Sequence, residues 1–86
     1  MTLAQRAKAE FNHALARCDS DDAAARLLTR FDAAMRRLGR FPELGRPGRQ
    51  TGTRELVIAN TPYLFIYEIE HNRVQILEIR HGSRSR

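Results

Sequence analysis

The sequence predicts an α+β fold: an N-terminal helical hairpin packed on a small antiparallel β-sheet. Three observations carry that reading. Apolar residues recur at spacings of three and four through about the first forty positions, the period of amphipathic helices. A cluster of Pro and Gly between Pro42 and Gly48 then breaks the pattern. After it come segments rich in aromatic and β-branched residues, separated by turn residues. With 86 residues the chain has room for one modest core, so residues 1–86 read as a single domain.

The first helix is expected from about Thr2 to Cys18, with Leu3, Ala7, Phe11, Ala14, Leu15 and Cys18 on one face. Asp19-Ser20-Asp21-Asp22 reads as a helix start. Asp19 or Ser20 can accept from free backbone N–H groups, and the remaining acids suit the positive end of the helix dipole. Ala24, Leu27, Leu28, Phe31, Met35 and Leu38 continue the second helical stripe, and Gly39 is the expected C-terminal cap. The segment from Phe41 to Arg49 is a loop, with Phe41 and Leu44 expected to pin it to the core.

Strands are expected at about Arg54 to Ala59, Tyr63 to Glu70 and Arg73 to about Arg80, the last two joined by a tight turn at His71-Asn72. That turn pairs Ile69 with Val74, Tyr67 with Ile76 and, if the ladder is regular, Tyr63 with Arg80. One face would then carry Tyr63, Phe65, Tyr67, Ile69, Val74, Ile76, Glu78 and Arg80. The other would carry Leu64, Ile66, Glu68, Gln75, Leu77 and Ile79. Both faces hold apolar residues, and a second apolar face on so small a chain points to a bound partner. The tail from His81 to Arg86 is short and basic, and its end is expected to be mobile.

Hydrophobic residues make up 42% of the chain and charged residues 29%, which excludes a disordered protein. No apolar run approaches the ~20 residues that span a bilayer, and Lys8 and Glu10 interrupt any export leader. One cysteine, Cys18, cannot form an internal disulfide, and a reducing cytoplasm fits. His13, His71, His81 and Cys18 are too scattered for a metal site, and no cofactor motif is present, so neither a metal nor a cofactor is expected. The net charge is +5, and every basic residue except Lys8 is an arginine. Arginine forks grip carboxylate and phosphate, so an acidic partner is expected: nucleic acid or an acidic protein segment.

Four strings stand in order: Phe41-Pro42-Glu43-Leu44-Gly45-Arg46, Gly52-Thr53-Arg54-Glu55-Leu56, Pro62-Tyr63-Leu64-Phe65-Ile66-Tyr67, and Ile76-Leu77-Glu78-Ile79-Arg80-His81-Gly82-Ser83-Arg84. Their order after two helices resembles the RelE/ParE superfamily of toxins from type II toxin–antitoxin systems, closer to ParE. The resemblance runs from about Ala23 to Arg84. It departs at the start, because Met1-Thr2-Leu3 leaves no room for the β-strand with which family members open. The missing strand would expose a sheet edge that a partner strand could fill.

The resemblance implies one of two activities: non-enzymatic poisoning of DNA gyrase, or ribosome-dependent cleavage of messenger RNA. Nuclease members place an arginine on the strand matching Tyr63 to Glu70. Here that strand has no basic residue, and Glu68 and Glu70 would repel phosphate. The gyrase reading is therefore favoured, with no catalytic residue, a cognate antitoxin and gyrase as partners, and no membrane. Its candidate contact residues are Arg46, Arg49, Tyr63, Arg80 and Arg84. In the alternative, Arg54, Arg80 and Arg84 would hold phosphate and His81 would serve as acid or base, with ribosome and messenger RNA as partners.

Overall fold

The computed structural model describes residues 1–82. In chain order the elements are β1 (Thr2–Leu3), α1 (Gln5–Ala16), α2 (Asp21–Arg40), β2 (Arg46–Pro47), β3 (Thr53–Val57), β4 (Tyr63–Glu70) and β5 (Arg73–His81). The strands form one mixed sheet in the order β1-β5-β4-β3-β2, with the helical hairpin packed on one face.

Two of these strands differ from expectation. Thr2 and Leu3 pair in parallel with Gln75 and Ile76, so the opening strand for which Met1-Thr2-Leu3 is expected to leave no room is present after all, in two residues, and it covers that side of β5. The Ala4 N–H continues the ladder by donating to the Ile76 carbonyl at 2.9 Å. This pairing occupies the first residues, and α1 starts only at Gln5. At the other edge, Arg46 and Pro47 pair with Glu55 and Arg54, turning part of the expected loop into β2. Pro47 is tolerated there because an edge strand does not need its missing N–H.

α2 begins where Ser20 accepts from the Ala23 N–H at 3.1 Å, with Asp21 and Asp22 in the first turn. It does not end at Gly39. The helix runs through Gly39 to Arg40 and stops at Phe41, whose backbone leaves the helical region that Pro42 disfavours for the residue before it.

The turn His71-Asn72 has φ of 52° and 62°, as a two-residue hairpin turn requires. From it the β4–β5 register runs as expected to Tyr67 opposite Ile76. There it shifts: Ile66 lies opposite Glu78, Phe65 opposite Ile79 and Tyr63 opposite His81. Leu77 is the extra residue of a β-bulge. A regular ladder would have buried Glu78 and exposed Ile79. The bulge exchanges them, so the core face carries Tyr63, Phe65, Tyr67, Ile69, Val74, Ile76, Ile79 and His81. Glu78 and Arg80 move to the outer face.

Phe31 centres the core, with ring centroids 5.0 Å from Phe11, 5.7 Å from Tyr63 and 5.9 Å from Phe65. Ala34 and Leu38 from α2 and Ala7 and Ala14 from α1 complete the helical side. Full burial of each large apolar side chain contributes about 1.5–3 kcal/mol.

Phe41 and Leu44 do not pin the loop, being 57% and 38% exposed. Polar groups hold it instead. The Tyr67 hydroxyl, fully buried, donates to the Pro42 carbonyl at 2.7 Å and accepts from the Gly45 N–H at 2.8 Å. The Arg54 guanidinium donates to the carbonyls of Gly45 at 2.8 Å and Glu43 at 3.2 Å. Gly45 is required at this crossing, because a Cβ there would stand 2.7 Å from the Tyr67 hydroxyl and 2.8 Å from the Glu55 carbonyl.

Candidate functional site

The connected end of the helical hairpin, around Arg17 and Cys18, faces the turn between β3 and β4, and a groove of about 410 Å³ lies between them. Ala14, Leu27, Pro62 and Tyr63 give it apolar walls, Cys18 lines it, and Arg17, Arg26 and Arg30 stand along its rim. Tyr63 and His81 meet on the floor, where the rings pack edge-on with centroids 5.5 Å apart. The bulge makes this possible, because it places His81 opposite Tyr63 in the ladder. Cys18 is half-buried and its thiol donates to the Ala14 carbonyl at 3.5 Å, which suits a packing role on the groove wall.

The outer face of the sheet has a different electrical character. Leu64 and Ile66 are buried there, so the second apolar face is largely closed; Val57, 57% exposed, is its open part. Ile66 lies between Glu55 and Glu78 in the ladder, and each acid holds arginines. Arg46 reaches Glu55 at 3.0 Å, while Arg80 and Arg6 reach Glu78 at 2.9 and 3.3 Å. Arg6 also bonds Glu10 at 3.2 Å. That hydrogen bond, with the charges of Glu78 and Glu10, holds the exposed Arg6 guanidinium above its ordinary pKa. The other carboxylate oxygen of Glu10 accepts from the Ile79 backbone N–H at 2.8 Å. β1 pairs only with Gln75 and Ile76, so the carboxylate takes the place of a strand partner further along β5.

The residues singled out from the sequence do not form one site. Tyr63 and His81 share the groove floor. Arg54 is on the same sheet face opposite Tyr67, four positions along β4 from Tyr63, or roughly 13 Å at the rise of a strand. Its guanidinium is occupied with loop carbonyls. Arg80 lies on the outer face, bound to Glu78. Arg46 and Arg49 belong to the edge beyond β3, both exposed; Arg46 is in an ion pair and Arg49 is in none among the described residues. Arg84, with the end of the tail expected to be mobile, lies outside the described residues. Sequence reasoning missed Arg17, Arg26 and Arg30 at the groove rim, although the latter two sit one helical turn apart on α2.

No group of three or more His, Cys, Asp or Glu able to hold a metal occurs among the described residues. No helix among them is long and apolar enough to cross a membrane.

The fold is similar to that of a chain from the chromosomal ParDE toxin–antitoxin system of P. aeruginosa. The TM-score is 0.83 at 18% identity, covering 93% of this chain and 91% of that one. In sequence, the chain is 46% identical over 64 residues to the candidate toxin Y4kP of Sinorhizobium fredii (strain NBRC 101917 / NGR234). The match covers 74% of this chain and spans 66% of the length of that relative. The profile of the ParE toxin of type II toxin–antitoxin systems, parDE, matches residues 2–86. That match takes in the two-residue first strand, the Tyr67-anchored loop and the bulged hairpin alike, and the chain belongs to the ParE toxin family of type II toxin–antitoxin systems.

Proposed function

We propose that this chain arrests growth in the cytoplasm by binding DNA gyrase and stabilising the gyrase–DNA cleavage complex, and that a cognate antitoxin neutralises it. The action requires binding and no catalytic residue of this chain. The observation that supports this reading is where the candidate cations lie. RNA cleavage through a 2′-hydroxyl needs a base, an acid and a cation converging on one phosphate. Arg54 serves the loop, Arg80 serves Glu78 on the opposite face, and the strand facing the core presents no basic side chain.

The antitoxin would reach the groove with an acidic, partly apolar segment. Its carboxylates would meet Arg17 and the neighbouring rim arginines, and its apolar anchors would rest on Leu27, Pro62 and Tyr63.

One observation favours the second reading, a ribosome-dependent messenger endonuclease: His81 sits on the floor of a groove rimmed by arginines. The test is to assay both activities on one preparation. The favoured reading expects loss of gyrase supercoiling and intact messenger on programmed ribosomes. Messenger cleavage that disappears in His81→Ala, with gyrase unaffected, would select the nuclease.

A further inference from the structure

The outer face of α2 carries four arginines that no ion pair among the described residues neutralises. Arg26, Arg30, Arg37 and Arg40 recur at spacings of four, seven and three residues. At 3.6 residues per turn they fall within about 80° of arc and extend roughly 21 Å along the helix. All four are exposed, and none is in an ion pair among the described residues. The fifth arginine of the helix, Arg36, is bound to Asp32 at 2.9 Å. Arg40 lies over the Phe41 ring at 5.7 Å, which steadies the end of the row. Between Arg26 and Arg37 the ridge holds Thr29 and Ala33, short enough for a polyanion backbone to approach the helix.

From this ridge we infer a second binding surface: α2 binds the sugar–phosphate backbone of DNA, independently of any protein partner. Two contrasts favour a phosphate backbone over an acidic protein segment. The ridge has no apolar or aromatic anchor between its arginines, and protein interfaces draw most of their energy from such anchors. A phosphate backbone needs none, only cations along its path. The outer sheet face, by contrast, has arginines already matched to Glu55 and Glu78. Arginines outside ion pairs are therefore aligned in a row along the helix. Arg26 and Arg30 also rim the groove, so a segment seated there would exclude DNA from that end of the row. The inference extends the gyrase reading without depending on it, since either can fail while the other holds.

The test is fluorescence anisotropy of a labelled short DNA duplex with the purified chain, without gyrase, at several salt concentrations. Four neutralised phosphates give a slope of log K against log salt near −3.6, a loss of roughly 150-fold between 50 and 200 mM salt. Arg37→Gln with Arg40→Gln, both outside the groove, should halve the slope and reduce that loss to roughly 12-fold. Arg46→Gln with Arg49→Gln, at the far sheet edge, should leave the slope unchanged. No binding at the lowest salt would overturn the inference. So would a slope that the α2 pair leaves intact, or one that the sheet-edge pair removes. Displacement of the duplex by polyglutamate at equal charge would assign the ridge to an acidic protein and overturn it as well. Unchanged circular dichroism of each variant establishes that the comparison concerns folded protein.

Discussion

Replacing Tyr67 by Phe removes one oxygen and tests what holds the loop before β2. The ring stays in the core, where Tyr67 is fully buried, so the apolar burial is nearly unchanged. What is lost is the hydroxyl's donation to Pro42 and its acceptance from Gly45, at 2.7 and 2.8 Å. The Gly45 N–H, which is buried, and the Pro42 carbonyl, which is partly buried, then lose their side-chain partner. A hydrogen bond contributes about 0.5–1.5 kcal/mol net, and a buried group left unsatisfied costs about 1–3 kcal/mol. The expected destabilisation is about 2 kcal/mol, or a fall in Tm of about 8–16 °C for a domain of this size. Urea titration measures it, and Tyr63→Phe is the control. The Tyr63 hydroxyl makes no hydrogen bond among the described residues, and its loss should cost under about 0.5 kcal/mol. Equal effects in the two variants, or a Tyr67→Phe loss below about 0.5 kcal/mol, would refute the claim that this hydroxyl anchors the loop.

Two further substitutions test local arguments. Gly39→Ala should stabilise the chain by about 0.5–1 kcal/mol in the same titration, because Gly39 is inside α2 and an added Cβ meets nothing within 4 Å; destabilisation would mean that the helix needs glycine there. Glu10→Ala should cost about 1–2 kcal/mol and speed hydrogen exchange at the Ile79 amide, while Glu10→Gln, which keeps an acceptor, should recover part of both; unchanged exchange in Glu10→Ala would show that the carboxylate does not close that part of β5.

Periodicity makes both helices and three of the strands legible in the sequence, because burial on one face leaves a regular trace. The differences arise where one residue does what a pattern cannot encode. The bulge at Leu77 reverses every face assignment beyond it, and Glu78-Ile79-Arg80 only makes sense once Ile79 is required in the core. β1 is two residues long and has no period at all. Gly39 has the composition of a cap, but Pro42 terminates the helix. Phe41 and Leu44 have the composition of core residues, whereas the loop is tied by a tyrosine hydroxyl and a guanidinium.

The candidate site is less legible than the fold. Tyr63 and His81 stand far apart in the sequence, and only the shifted register brings them together. Arg54 and Arg80 read as available cations, and each is engaged inside the fold. The arginines of α2 are visible as letters from the outset. Their alignment follows from the same spacing of three and four that reveals the apolar face, applied to charge.

The most direct measurement is gyrase on supercoiled plasmid in the presence of the chain or its His81→Ala variant, followed by detergent and protease to reveal cleaved DNA. A binding toxin with no catalytic residue predicts linear DNA in both cases, dependent on gyrase and in proportion to toxin. Absence of linear DNA with the unaltered chain, or its appearance only while His81 is intact, would contradict the account.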